Sequence, residues 1–226
     1  MEEMIIPVAI LTYRRAGYFK QTLESFIEFN RESLSMYRII VLVQGDMDRG
    51  TPKVIRAYRK YLHEVTHVRE NKGCAGGYIT IMTKVSKLGY PYIMFLQDDW
   101  ESRESVSPYV PEIVEMMEKH KEVGYTRLRT ITERVAHKNR ITRQGIYNKP
   151  VSDHIFLTNA HFSMNPQIIR SVILPKFTPF FKEKEGMILY NRRGYLSAQL
   201  RAKCFHHIGR KRAVTVLKNG LHKWVK

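Results

Sequence analysis

Residues Tyr92 to Glu101 read Tyr-Ile-Met-Phe-Leu-Gln-Asp-Asp-Trp-Glu, an unbroken apolar run that stops in two adjacent carboxylates. Ile93, Met94, Phe95 and Leu96 are too continuous for a strand with one wet face, so the run predicts a central parallel strand covered on both sides. Gly89-Tyr90-Pro91 ahead of it closes one element and starts the next. The strand therefore delivers Asp98 and Asp99 to its carboxyl end, the edge at which open α/β sheets bind ligands. Two ionised neighbours repel each other, and a hard, oxygen-preferring cation such as Mg²⁺ or Mn²⁺ offsets that repulsion. The plainer alternative makes Asp98 and Asp99 the cap of a following helix.

The chain ahead of that strand alternates regularly. Ile5 to Thr12 reads as a strand, Tyr13 to Gly17 as a turn, and Phe19, Leu23, Phe26 and Ile27 place a helix over Tyr18 to Asn30. Arg38 to Val43 gives a second strand, ended by the acidic loop Gln44-Gly45-Asp46-Met47-Asp48. Thr51 as N-cap with Pro52 at the first helical position opens a helix carrying Val54, Tyr58, Tyr61 and Leu62. Val65 to Arg69 is a short third strand. The glycine-rich turn Glu70 to Gly77 then opens a helix on which Ile79, Met82, Val85 and Leu88 recur. Glycines there allow backbone to approach a ligand, and a helix N-terminus favours anions. The turn has neither the P-loop pattern nor the Gly-x-Gly-x-x-Gly spacing. This order predicts a right-handed, wound parallel sheet.

Beyond the acidic pair, Ser107-Pro108 starts a helix with Val110, Ile113, Val114 and Met117 facing inward. Gly124 to Arg134 is β-rich but carries Arg127, Arg129 and Arg134, which suggests an edge or a site lining. Residues 136 to 154 read as loop, Asp153 to Met164 as a strand, Asn165 to Val172 as a short helix, and Lys182 to Tyr195 as a charged helix. Cys204 to Gly209 then crosses back toward the acidic pair.

Charge divides the chain in two. Residues 1–118 hold 15 Lys/Arg against 16 Asp/Glu, whereas residues 119–226 hold 23 against 5. The second half is a cation suited to phosphates, an anionic membrane surface or nucleic acid. Cys74 and Cys204 make no metal spacing and no disulfide framework, as in a reducing cytosol. No apolar stretch nears the roughly 18 residues of a membrane span, and Met1-Glu2-Glu3-Met4 is no signal-peptide start. These features predict a cytoplasmic protein with peripheral contact to an anionic membrane.

Four loops thus converge on one sheet edge: Thr12 to Arg15, Gln44 to Asp48, Asn71 to Gly77, and Gln97 to Trp100. Their order and chemistry resemble the GT-A glycosyltransferases of the family-2 type over most of residues 5 to 209. Thr12-Tyr13-Arg14-Arg15 is similar to that family's Thr-Tyr-Asn-Arg, with Arg14 in place of Asn. Asn71-Lys72-Gly73-Cys74-Ala75 resembles its Asn-x-Gly-x-Ala turn, and Gln97-Asp98-Asp99 its Asp-x-Asp, with a neutral amide replacing the first carboxylate.

The resemblance implies a GT-A, Rossmann-like α/β fold: a wound, mostly parallel sheet with helices on both faces and a smaller mixed-sheet acceptor-side half. It implies one domain over 1–226, with a nucleotide-sugar-binding half at 1–101, an acceptor-side half at 102–209 and a basic tail at 210–226. Thr12, Tyr13, Arg15, Gln44, Asp46, Asn71, Gly73, Gly76, Gly77, Gln97 and Asp98 would bind the nucleotide-sugar donor. Asp99 and His207, the latter in a His-x-Gly, would hold Mn²⁺ or Mg²⁺, and Arg210 and Arg212 would face the diphosphate. An inverting transfer to a glycan or lipid-linked acceptor also needs a carboxylate base. After residue 140 the only carboxylates are Asp153, Glu183 and Glu185. The family's placement of its base shortly before the returning histidine points to Glu185 or Glu183, and Glu185 opens the periodic Met187, Ile188, Leu189.

Two other classes compete. A nucleic-acid-binding module would use the basic half with Phe177, Phe180, Phe181, Tyr190 and Tyr195 exposed for stacking. A sugar-phosphate nucleotidyltransferase would carry a glycine-rich, basic phosphate loop after the first strand, for which Ala16-Gly17 is a poor candidate.

Overall fold

The computed structural model describes residues 4–129, 148–158, 163–177, 186, 189–190, 193–209, 214–216 and 222–224. The first half alternates strand and helix as the periodicities require. Strand β1 (Ile6–Thr12) leads to α1 (Ala16–Phe29), β2 (Tyr37–Gln44) to α2 (Thr51–Ala57), and β3 (Leu62–Val68) to α3 (Gly73–Ser86), which precedes β4 (Tyr92–Gln97). Strands β3, β2, β1 and β4 lie side by side in that order and run parallel.

The sheet then changes character. After β5 (Trp100–Ser102) and α4 (Val110–Lys119), β6 (Val123–Arg127) returns to it, followed by β7 (Asn148–Pro150), β8 (Ile155–Thr158), β9 (Gln167–Arg170) and β10 (Leu196–Leu200). The nine-stranded order is β3-β2-β1-β4-β9-β6-β10-β8-β7, with β9 antiparallel to both β4 and β6. Strand β11 (Phe205–His207) pairs antiparallel with β5, and β12 (Val214–Val216) with β13 (His222–Trp224). The architecture is the expected α/β one, a sheet that is parallel in its first half and mixed in its second.

Alternation along the buried strands builds two cores, one on each face. On β1, Ile6, Val8 and Ile10 meet Phe19, Leu23 and Phe26 of α1 and Ile113 and Met117 of α4, whereas Ala9 and Leu11 meet Tyr78, Ile81 and Met82 of α3. On β4, Met94 and Leu96 face the first group and Ile93 and Phe95 the second, all with no exposed surface. Burying a side chain of this size contributes about 1.5–3 kcal/mol, which is why the run must occupy the centre of the sheet.

Several expectations are corrected. The segment from Asn165 is not a helix, because Ile168 and Ile169 point to opposite cores and β9 supplies the ladder partner that β4 needs on its open side. Helix α2 ends at Ala57, a single 3-10 turn follows, and Leu62 already opens β3. Leu88 is half exposed and lies beyond α3, whose inward face is Tyr78, Ile81, Met82 and Val85. The β-rich segment from Gly124 is an interior strand, and Arg127 is 2% exposed. Residues 148–150, expected in a loop, form β7, while residues 130–147 lie outside the described residues. Tyr190 is fully buried and donates its hydroxyl to the Leu196 carbonyl at 2.5 Å, so it is no stacking platform for nucleic acid. Among the described residues no helix is long and apolar enough to cross a membrane.

Candidate active site

Asp98 is held by its backbone before its side chain does anything. Its N–H continues the β1 ladder to the Leu11 carbonyl at 3.0 Å, and its own carbonyl accepts from the Thr22 hydroxyl of α1 at 2.9 Å. The carboxylate, fully buried, accepts from the Thr12 hydroxyl at 2.7 Å and from the Tyr13 N–H at 3.2 Å through Oδ2. Arg15 crosses both acids: one guanidinium nitrogen pairs with Asp98 Oδ1 and the other donates to Asp99 Oδ2 at 2.7 Å. Burial pushes the Asp98 carboxyl up to about 6, and the Arg15 charge opposes that rise without cancelling it. Burial pulls Arg15 down, but the two aspartates outweigh it and leave its pKa raised. Arg15 is thus an internal counter-ion for a carboxylate pair that water reaches poorly.

His207 returns to this pair because β11 docks on β5, placing His207 opposite Trp100, and the Ile208 N–H bonds to the Asp99 carbonyl at 2.9 Å. Its Nε2 lies 3.4 Å from Asp99 Oδ2, and its ring packs against Trp100 at 5.0 Å. Gly209 makes that approach possible: a Cβ there would sit 2.8 Å from Asp99 Oδ2 and 3.0 Å from the His207 ring. Asp99 Oδ1, in contrast, is buried and has no hydrogen-bond partner among the described residues. A buried carboxylate oxygen without a donor is an expensive arrangement unless a cation completes it. One carboxylate and one imidazole suit a borderline ion such as Mn²⁺. Among the described residues no third His, Cys, Asp or Glu joins them.

The remaining loops organise each other. Gln44, 2% exposed, donates to the Gly73 carbonyl at 3.0 Å and accepts from the Lys72 N–H at 3.1 Å, so its amide pins the glycine-rich turn. A Cβ at Gly77 would meet Gln44 and Leu11, and one at Gly76 would meet Lys72, so close packing of these side chains is reason enough for both glycines. Gly73 adopts φ +68 with open space where a Cβ would be, at the first position of α3. Asn71 Oδ1 accepts from the Gly73 N–H at 3.0 Å and shapes that turn. Exposed Asp46 pairs with Arg14 at 3.0 Å, and Arg14 itself sits at φ 50. Gln97 donates to the Met164 carbonyl at 3.3 Å and to Cys74 Sγ at 2.9 Å, bridging the β4 end to the α3 start.

The structure therefore brings Thr12, Tyr13, Arg15, Asp98, Asp99 and His207 into one cluster, with Asn71, Gly73 and Gln97 beside it and Asp46 on an outer rim. Glu183, Glu185, Arg210 and Arg212 lie outside the described residues. Sequence reasoning missed Asp48. Its Oδ1 accepts from the Gly50 and Thr51 N–H groups at 2.8 and 2.7 Å, and its Oδ2 from the Ala16 N–H at 3.2 Å, capping α1 and α2 together. Burial would raise the Asp48 carboxyl, but these backbone bonds outweigh it and hold the pKa down. The signal was present as an Asp two residues before a Gly-Thr-Pro helix start, a spacing that Thr51 obscured. Arg129, which the sequence placed on an edge or a site lining without a partner, has its guanidinium 5.0 Å from the Trp100 ring centre.

Comparison with known proteins follows the same lines. The model of a family described as "Glycosyl transferase family 2" matches residues 8–177. No curated protein matches the sequence. Among solved structures the chain is similar to S. aureus TarS, at a TM-score of 0.61 and 16% identity over 89% of this chain and 36% of that one. It is similar to S. aureus TarS 1-349 in complex with UDP-GlcNAc, at 0.60 and 13% over 92% and 59%. It is also similar to the mannosyltransferase PcManGT of Pyrobaculum calidifontis in complex with GDP-Man and Mn²⁺, at 0.63 and 13% over 92% and 58%. The chain spans from about a third to three fifths of the length of these proteins, and at such identities the likeness is one of fold.

Proposed function

This chain belongs to glycosyl transferase family 2, and from that premise we propose that it transfers a sugar from a nucleoside-diphosphate sugar, a UDP-sugar in particular, to a hydroxyl of a glycan or lipid-linked acceptor. The observation that carries the reading is the buried Asp98–Asp99 pair at the carboxyl end of β4, with Asp99 Oδ1 unpartnered among the described residues and His207 beside it. Similar structures that hold UDP-GlcNAc, or GDP-Man with Mn²⁺, support the donor class.

In this reading Asp99 and His207 hold Mn²⁺ or Mg²⁺. The ion, when bound, offsets negative charge on the departing diphosphate. Asp98, fixed by Thr12 and Tyr13, orients Arg15 and faces the ribose or the donor sugar. Gly73 leaves the first turn of α3 open to an anion, and Asn71 sets its backbone. Tyr13, Arg14 and Asp46 form the outer wall for the nucleotide. Inversion requires the acceptor oxygen to bond the anomeric carbon as the bond from that carbon to the diphosphate breaks on the other face. The hydroxyl proton passes to a carboxylate, for which we propose Glu185, with Glu183 as the second candidate; Arg210 and Arg212 add positive charge at the leaving group. The whole of 1–226 is proposed to act as one catalytic unit, its basic second half facing an anionic acceptor or membrane surface.

The test is release of a nucleoside diphosphate from a panel of nucleotide sugars with Mn²⁺, comparing the parent protein with Asp99→Ala. Turnover of one donor, lost in the variant together with its Mn²⁺-dependent binding by calorimetry, is the expected result. Unchanged Mn²⁺-dependent donor binding in Asp99→Ala would overturn the assignment.

A further inference from the structure

Arg129 lies just past the carboxyl end of β6, two strands from β4 in the sheet order and at the same edge, because β4 and β6 each run antiparallel to β9. Its guanidinium stands 5.0 Å from the centre of the Trp100 ring, the same ring against which His207 packs. Trp100 is 3% exposed and immediately follows Asp99, so it is a fixed support. Arg129 itself is half-buried and forms no ion pair with a carboxylate among the described residues.

An arginine in that position departs from the pattern of the rest of the edge. Arg15 answers two aspartates and Arg14 answers Asp46, whereas Arg129 has an aromatic face and five N–H donors that no carboxylate among the described residues receives. Burial and the neighbouring Arg127 charge both lower its pKa. A guanidinium over an aromatic face keeps its N–H donors for bidentate bonding to a phosphate. The surrounding half of the chain, with 23 Lys/Arg against 5 Asp/Glu, favours the same class of ligand.

We propose that Arg129, braced by Trp100, is an oxyanion-binding subsite that takes a phosphate group next to the Asp99–His207 cluster. The phosphate comes either from the donor's diphosphate or from a phosphate carried by the acceptor. This rests on the transferase reading for the identity of those two molecules, but not for the binding of phosphate itself.

Calorimetry on the full chain with Mg²⁺, titrating UDP, uridine and inorganic phosphate, separates the sources. If the donor supplies the phosphate, Arg129→Gln weakens UDP by about tenfold or more and leaves uridine unchanged. If the acceptor does, UDP affinity is unchanged, while inorganic phosphate added to the UDP-loaded protein binds the parent and binds the variant about tenfold more weakly. Arg129→Lys, which keeps the charge and loses the flat fork, falls between parent and Arg129→Gln in whichever arm responds, and it carries the test should Arg129→Gln fail to fold. Equal affinities in parent and variants, or a parent protein that binds no phosphate in any form, overturn the proposal. A parent that binds inorganic phosphate through Arg129 but no nucleotide leaves the subsite standing and removes the transferase reading.

Discussion

Replacing Arg15 with Met should destabilise the protein in a way that Mn²⁺ repairs. The side chain keeps its length and loses the bridge to Asp98 and Asp99, of which the acids are 0% and 6% exposed at the side chain and Arg15 24%. Breaking a fully buried ion pair costs about 3–5 kcal/mol. Asp98 retains its bonds from Thr12 and Tyr13, and Arg15 is partly wet, so the loss here is set at about 2–3 kcal/mol. For a chain of this length that is a fall of about 4–12 °C in Tm. What remains is two buried carboxylates with no cation between them, and a divalent ion can supply the missing charge. Thermal unfolding with and without saturating Mn²⁺ measures both effects. The variant should gain more from the ion than the parent does, recovering most of its deficit. A deficit of the same size at all Mn²⁺ concentrations would show that the ion does not use this carboxylate pair, and no deficit at all would show that Arg15 is not its counter-ion.

Gly209→Ala should weaken Mn²⁺ affinity by about 10–100-fold with little change in Tm, because its methyl displaces His207 from Asp99 without entering the core; manganese titration followed by EPR reads the affinity directly, and an unaltered value refutes the contact. Glu185→Gln, or failing that Glu183→Gln, should lower turnover by about 10²- to 10⁴-fold while donor affinity holds; if neither slows transfer to a sugar acceptor, the base lies elsewhere or the mechanism is not inverting. Glu118 is held down to about 2 by its bonds from Lys121 and Tyr92 and by the Arg170 charge, against an ordinary value of 4.5. A depressed carboxylate stabilises the fold above pH 4.5 and loses that contribution as pH falls from 4.5 to 2. Glu118→Gln should therefore be less stable than the parent at neutral pH by about 1 kcal/mol or less, the Glu118 side chain being half exposed, and equal to it near pH 2, as urea titrations across pH would show.

The first half of the fold was legible because each of its elements carries its own period. Ile93 to Leu96 have no polar interruption, and the structure gives them a covered strand; Phe19, Leu23 and Phe26 return every three or four residues, and α1 buries all three. The second half was not legible because its strands are short and their partners lie far away in sequence. Strand β9 has four residues, and Asn165-Pro166 ahead of it carries the signature of a helix start; only the vacant ladder edge of β4, over 70 residues earlier, decides in favour of a strand. The same holds for β10, where Ser197 and Gln199 are buried polar residues that no hydropathy pattern assigns to an interior strand. Local propensity decides where tertiary pairing is absent, and here pairing was present and invisible.

At the cluster, residue identity was legible and residue use was not. Asp98, Asp99 and His207 announce themselves as unusual chemistry at element ends, and the structure does gather them. Gln44, Gly76 and Gly77 looked alike as polar or flexible residues at a ligand-binding edge, yet Gln44 is committed to two backbone bonds and both glycines are filled by neighbouring side chains. The distinction depends on which atoms are already satisfied, a property of the folded packing that no spacing encodes. It also marks where new chemistry can be found. Asp99 Oδ1 and the Arg129 guanidinium are the charged groups at this edge that the described packing leaves unanswered, one negative and one positive, on either side of the His207–Trp100 contact. A cation for the first and a phosphate for the second would satisfy both at once, which is the charge pattern that a metal-bound diphosphate presents.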